Sequence, residues 1–272
     1  MRIAALSDIH GNLLAFEAAL EHVAKQQIDQ IVIVGDIVLG APDSAACWKR
    51  ACELGCPIVR GNTETFVTKY GTPEADPQWS TEQFGPLQWA AQQFSADERR
   101  LLGALPLTHK FPETPDLLFF HSSPRSEWDD LRAYTSESEL RELFTDTSER
   151  YFVRGHHHNP QVQLWEERVI INCGSVGLPD DCHVVAQYVL LEQFRDGWRI
   201  RHQAVPYDVE ATLHRFHETG YLEFAGPMSR LLMRQVATAT VQVMPFLEYY
   251  KRWRTESDIT LSEAVDRFLT LF

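Results

Sequence analysis

The sequence predicts an α/β protein that begins with parallel strands and turns antiparallel towards its middle. Three observations carry this expectation. Apolar runs of four to six residues alternate with helical periodicity over the first sixty residues. Two tight hairpins stand between Val162 and Val205. From Tyr207 to Phe272 the pattern is helical throughout.

Ile3 to Leu6 reads as a buried strand, followed by a turn at Gly11 and Asn12. Asn12 to Gln27 carries Leu13, Leu14, Phe16, Leu20 and Val23 at helical spacing. IVIVGDIV supplies a second strand. Asp43 to Leu54 is a second helix, entered through Pro42 and stopped at Gly55, and PIVRGN is a third strand. This order predicts parallel strands joined by right-handed crossovers. Thr63 to Leu105 is helical but interrupted by Pro73, Pro77 and Pro86, and is expected to form a cap. LLFFHSSP then gives a fourth strand, a helix lies near Glu137 to Phe144, and Tyr151 to Arg154 is a fifth strand. Val162 to Trp165 and Val169 to Asn172 bracket Glu166, Glu167 and Arg168 as one hairpin. Val184 to Phe194 and Trp198 to Val205 form the other, turning at Asp196 and Gly197. The tail includes helices at Leu231 to Val243 and Ser262 to Leu269 and is expected to pack on the core or on a partner subunit. The chain thus divides into a domain over residues 1–206, with a cap-like insertion at about 63–105, and a C-terminal helical extension over 207–272.

A chain of 272 residues, 44% hydrophobic and 23% charged, is long enough for a sizeable core and too apolar for disorder. With 25 basic against 38 acidic residues the net charge is −13, which disfavours nucleic acid polymers and anionic membranes as partners. A small phosphorylated substrate stays compatible, since bound cations reverse the local field. No apolar run reaches the roughly 20 residues of a membrane span, and the N-terminus opens on a core strand without the pattern of a signal peptide. The expected location is cytoplasmic. The five cysteines, Cys47, Cys52, Cys56, Cys173 and Cys182, are odd in number and lack zinc-finger spacing, so buried thiols are the expectation for all five.

Seven metal-seeking side chains stand in order, each just past an apolar run: Asp8, His10, Asp36, Asn62, His121, His156 and His158. Asp8 and His10 are two apart and would point the same way from extended backbone. Side chains gathered at strand ends open into the crevice at the carboxyl edge of a sheet. Carboxylate, amide and imidazole donors together suit manganese, iron or zinc better than calcium or copper.

The blocks DIH, GD, GNTE, H and GHHH resemble the calcineurin-like metallophosphoesterase signature D-x-H, G-D, G-N-H-D/E, H and G-H-x-H. Single blocks are weak, but five in the right order are specific. The resemblance runs from Ile3 to about Pro179. It implies a four-layer αββα sandwich of two mixed sheets and a cofactor of two divalent or mixed-valence transition metal ions. Asp8, His10, Asp36 and His158 would hold the first and Asp36, Asn62, His121 and His156 the second, with Asp36 bridging. Ions about 3.5 to 4 Å apart would polarise phosphoryl oxygens and supply a bridging hydroxide for in-line attack. Asp36, Asn62 and His121 thereby belong to the catalytic set.

Thr63 stands where the family's commoner form has a His that assists the leaving group. A hydroxyl does not titrate near neutral pH, so good leaving groups are favoured. Glu64 is expected to support the site from behind or to charge a helix N-terminus, and His157 to point away from the metals. HSSPR is close to HGSPR of the branch related to diadenosine tetraphosphatases and bacterial Ser/Thr protein phosphatases, with Ser122 for Gly. Arg125 is the candidate phosphate clamp, and a surface pairing with Glu127 or Asp129 is the alternative; Arg60 is a second candidate. INCGSVGLP resembles NPGSVG of the same branch, with Cys173 for Pro; its glycines allow close backbone approach, so Gly174 and Ser175 are expected to line the site near His158. Trp79, Trp89 and Trp128 could stack a nucleobase, although such aromatics are more often core.

These expectations amount to a phosphoesterase acting on a small phosphate ester or anhydride, such as a dinucleoside polyphosphate or a phosphodiester. The alternatives are a protein Ser/Thr phosphatase and a catalytically weak metal-binding scaffold. A homo-oligomer is compatible with the sequence.

Overall fold

In RIAAL, Ile3 and Ala5 face one side and Ala4 and Leu6 the other, and all four are fully buried. Such a strand has to lie between two covering layers. The computed structural model describes residues 1–272 and places it there. The N-terminal elements are β1 (Arg2–Leu6), α1 (Leu13–Ala24), β2 (Gln30–Ile33) and α2 (Ser44–Glu53). The insertion contributes α3 (Asn62–Lys69), two 3₁₀ turns (Pro77–Ser80 and Glu82–Phe84), α4 (Gly85–Gln92) and α5 (Ala96–Gly103). Next come β3 (Thr108–His109), β4 (Leu117–Phe120), α6 (Glu137–Leu143) and β5 (Tyr151–Arg154). The two hairpins are β6 (Pro160–Trp165) with β7 (Arg168–Cys173), and β8 (Ala186–Phe194) with β9 (Gly197–Val205). The chain ends in α7 (Val209–Glu218), α8 (Tyr221–Ala225), α9 (Pro227–Thr238), α10 (Val243–Glu256) and α11 (Leu261–Leu271).

The strands form two mixed sheets, β2-β1-β8-β9 and β3-β4-β5-β7-β6. β1 and β2 pair in parallel, as do β4 with β5 and β5 with β7, while β8 runs antiparallel to β1. Ile3, Ala5, Val32, Leu117, Phe119, Val153 and Ile171 meet between the sheets. Ala4, Leu6 and Ile33 instead face Phe16, Leu20 and Trp48 of α1 and α2. On the far side Leu118, Phe120 and Phe152 pack under Leu140 and Leu143 of α6. This is the expected α/β fold, a four-layer αββα sandwich.

The last helices have a core of their own around Met228, Leu231, Phe246, Trp253 and Phe268. They join the rest through α8 and α9. Trp89 of α4 packs on Tyr221 and Phe224, and the Tyr221 hydroxyl donates to the Gly40 carbonyl at 2.6 Å.

Several local expectations need correction. The third strand is reduced to one parallel bridge, Ile33 with Ile58. Pro57 has no N–H to give, and Arg60 N–H turns away to the Pro106 carbonyl. No single helix spans Leu231 to Val243. The chain breaks after Thr238 because Ala239 is left-handed (φ 50°) and Thr240 pairs with Asp181. Of the five cysteines only Cys47 and Cys173 are buried; Cys56 is half-buried, and Cys52 and Cys182 are exposed.

Candidate metal centre

The seven side chains singled out in the sequence come together at the carboxyl ends of β1, β2, β4 and β5 and at the start of α3. They do so through backbone that the sequence conceals. Asp8, His10, Asp36 and His156 all have positive φ, between 51° and 70°, so the expected extended geometry of Asp8 and His10 is not what aligns them. Left-handed non-glycine residues are strained, and here the loops hold them. Asp8 N–H donates to the Gly35 carbonyl, His10 N–H to Asp36, Ala41 N–H to His10 and Gly177 N–H to Asp8. The approach is close enough to require glycine at several points, two of them against the carboxylates. A Cβ on Gly61 would collide with the Asp36 carboxylate, and one on Gly155 with Ser7 and Asp8.

Three imidazoles share one mode of attachment. His10 Nδ1 is 2.7 Å from the Leu39 carbonyl, His121 Nδ1 2.8 Å from that of Val34, and His158 Nδ1 2.5 Å from that of Leu178. A carbonyl only accepts, so each Nδ1 carries a proton and each Nε2, turned inward, is the nitrogen that a cation could take up in place of a second proton. His10 Nε2 and His158 Nε2 then lie 3.0 Å apart. His158 Nε2 is 3.4 Å from Asp8 Oδ1, and His10 Nε2 is 3.7 Å from Asp36 Oδ2. On the other side of Asp36, Oδ1 is 3.3 Å from His121 Nε2. His121 Nε2 is 3.1 Å from Asn62 Oδ1, which is 2.9 Å from His156 Nδ1. The groups Asp8, His10, His158 and Asp8, Asp36, His121 each gather their donor atoms within 4.8 Å.

Both carboxylates are anionic. Burial alone would raise Asp8, but the hydrogen bond and charge of His158 outweigh it and hold the group at about 2. Burial likewise opposes ionisation of Asp36, yet the charge of His121 keeps its pKa far below the usual carboxylate range. Burial pushes His156 down, to about 3, with the charge of His121 adding to it. This imidazole is neutral, with a lone pair to give. Two buried anions among inward-facing imidazole nitrogens form a donor set that a divalent cation fits.

Further groups brace the cluster. Thr63 N–H and Oγ1–H both donate to Asp36 Oδ1, at 2.9 and 3.0 Å, so the position read as a missing acid anchors a carboxylate. Glu64, fully buried at the N-terminus of α3, accepts from the N–H groups of Asp36, Ile37 and Gly61 at 2.8 to 2.9 Å. Ser175 lies behind the site rather than lining it, donating to the Asp8 carbonyl at 2.8 Å. His157 turns away, 2.9 Å from Asp130 Oδ1.

Arg125 is not brought to the cluster. Its guanidinium pairs with Asp129 and Glu142, each at 3.0 Å, which is the surface arrangement that the sequence also allowed. Arg60 donates to the Gly103 carbonyl at 2.8 Å. Trp79 and Trp128 pack edge-on against Phe66, and Trp89 lies against Tyr221. One buried charge escaped the sequence reading. Arg154, at the end of β5, gives Nη1–H to the Leu131 carbonyl at 2.8 Å, and burial lowers its pKa to about 10. The only available signal was a charged residue closing an apolar strand.

Two stacked sheets with carboxylates and imidazoles collected at parallel strand ends define a metallophosphoesterase fold. A family model described as the calcineurin-like phosphoesterase superfamily domain matches residues 1–193, and the chain belongs to that superfamily. An uncharacterised protein of Methanocaldococcus jannaschii is 25% identical over 242 residues, 82% of this chain and 95% of its own. The crystal structure of a metallophosphoesterase from Sphaerobacter thermophilus superposes with a TM-score of 0.69 at 24% identity. That of a hypothetical protein from Pyrococcus horikoshii gives 0.71 at 16%. Each of these covers 88% of this chain and 99% of its own, so the likeness in fold continues past residue 193 into the C-terminal helices. Membership supports a hydrolase of phosphoesters.

Proposed function

We propose that the protein is a phosphoesterase that works with two divalent metal ions, held by Asp8, His10, Asp36 and His158 on one side and by Asp36, Asn62, His121 and His156 on the other. One observation supports this reading: the two oxygens of Asp36 face opposite sides of the cluster, Oδ2 towards His10 Nε2 and Oδ1 towards His121 Nε2. Ions bound there supply positive charge for phosphoryl oxygens and a water acid enough to attack phosphorus. Thr63 fixes one Asp36 oxygen, and the carbonyls of Leu39, Val34 and Leu178 fix the tautomers of His10, His121 and His158. Arg125, paired as it stands, has no part in this account. Manganese or iron is the preferred metal, with zinc admitted by the same donors.

The competing readings are a protein Ser/Thr phosphatase and a scaffold without turnover. Retention of all seven donors favours an enzyme over the scaffold. The test is to strip the protein of metal, refill it with manganese, and compare p-nitrophenyl phosphate, bis(p-nitrophenyl) phosphate, diadenosine tetraphosphate and a phosphopeptide. Turnover that returns with metal on the small compounds supports the proposal. Preference for the phosphopeptide selects the protein phosphatase, and no turnover with two metals bound selects the scaffold. Asp36→Asn, the bridging position, is expected to lose bound metal and activity together; two metals and full turnover in that variant would refute the bridge.

A further inference from the structure

Beside His10 and Thr63 the site opens into a pocket of about 260 Å³ whose walls come from four separate parts of the chain, one of them the loop of Leu178 that anchors His158. Leu39 belongs to the loop that anchors His10, Phe66 and Phe84 to the insertion, and Leu232, Val243 and Leu247 to α9 and α10. Nine of its fourteen lining residues are hydrophobic, and none is Lys, Arg, Asp or Glu. Phe66 is held edge-on between Trp79 and Trp128, with ring centres 5.1 and 5.0 Å away, which makes that wall stiff. The pocket is therefore apolar and continuous with the residues proposed to hold metal.

We propose that this pocket receives the organic part of the substrate, and that the substrate is a small phosphate ester of an uncharged, apolar phenol. The proposal rests on the hydrolase reading above. Size agrees, since a dry cavity of about 150 Å³ already takes a benzene molecule. A nucleotide would bring further negative charge and several hydrogen-bonding edges into a space whose only polar side chains are His10, Thr63 and Gln83 and which holds no cationic side chain of Lys or Arg, at a cost in desolvation. The chemistry agrees as well. Thr63 offers no proton near neutral pH, and a phenolic oxygen, with a pKa of about 10, leaves more readily than an alkoxide. In the step itself a water oxygen bonds to phosphorus and the bond from phosphorus to the aryl oxygen breaks. The attacking water gives up one proton to solvent, and the electron pair departs on the aryl oxygen, which takes one from solvent; the products are phosphate and the phenol.

The experiment is calorimetric titration of the manganese-loaded full-length protein with inorganic phosphate, methylphosphonate, phenylphosphonate and AMP, alongside hydrolysis of phenyl phosphate. Phenylphosphonate is expected to bind about tenfold or more tightly than methylphosphonate, from the added apolar area alone. Leu247 is half-buried, so Leu247→Glu should fold; it is expected to bring that ratio close to one and to raise KM for phenyl phosphate, while Leu247→Met retains the preference. If Leu247→Glu loses its circular dichroism, Val243→Gln on the same wall takes its place. Equal binding of the two phosphonates, tighter binding of AMP, or a ratio unchanged in a folded variant would overturn the pocket assignment while turnover of phosphate esters leaves the hydrolase reading standing. Absence of phosphate binding together with absence of turnover would overturn both.

Discussion

Glu64 has no exposed surface, yet its two oxygens collect the N–H groups of Asp36, Ile37, Gly61 and, at 3.3 Å, Val38. Burial pushes its carboxyl up, to about 7, and the charge of Asp36 adds to that rise, so the converging donors are what keep the oxygens satisfied. Glu64→Gln keeps the volume but turns an amide N–H₂ towards N–H groups. It is expected to cost about 2 to 3 kcal/mol, read as a lower denaturant midpoint at unchanged slope; a loss under about 0.5 kcal/mol, the range of ordinary surface substitutions, would show that the loops hold without it. Thr63→Val tests the neighbouring bond. Removing one hydrogen bond to an ionised Asp36 is expected to weaken metal affinity about tenfold, measured by competition with a chelator; unchanged affinity would leave Asp36 held by the Thr63 N–H alone. At this scale the sequence displayed the side chains that meet in the cluster, because Asp, His and Asn at strand ends are read directly. It did not display the left-handed backbone at Asp8, His10, Asp36 and His156, since that conformation is imposed by loop-to-loop hydrogen bonds and not by the residues' own preferences. Nor could it display the carbonyl anchors, for every residue has a carbonyl.

The elements most legible in the sequence were those with a strong period. β6 with β7 and β8 with β9 turn where alternating residues meet Glu-Glu or Asp-Gly, and α1 follows its apolar stripe from an N-cap at Asn12. Legibility failed where partners outweigh local preference. Ile58 to Arg60 has the composition of a strand but loses its ladder to Pro106, and the break between α9 and α10 is fixed by Thr240 pairing with Asp181. α8 was equally unforeseeable as a brace, although it has a specific job. Tyr221 is fully buried and its hydroxyl reaches Gly40, next to the Leu39 carbonyl that orients His10. Burial pushes its phenol above the usual range, so it stays a donor. Tyr221→Phe is expected to cost about 1 to 2 kcal/mol of stability and to loosen metal at His10, which thermal unfolding of the metal-free and metal-loaded protein separates. An equal loss in both states would confine α8 to general packing.

At the scale of the molecule, no helix is long and apolar enough to cross a membrane, and the two largest cores contain none of the metal-seeking side chains. The core between β1 and the helices comprises 24 buried residues and that between the sheets 15, none of them a proposed ligand. Of the proposed ligands, Asp8, His10, Asp36 and His156 lie on loops with strained backbone, and two anionic carboxylates are drawn together there. Removing metal should consequently release the loops and leave the sheets. Chelation is expected to preserve far-ultraviolet circular dichroism and to speed hydrogen exchange at residues 8–12, 35–41, 61–64 and 155–158, while the amides of β4, β5 and β8 stay protected. Returning manganese at a hundredfold excess over its Kd should add about 2.7 kcal/mol per site to stability, raising Tm by several degrees and further with each increase in concentration. A Tm that ignores manganese would remove these loops as its binding site, whereas global unfolding on chelation would make the ions part of the core rather than occupants of a preformed edge.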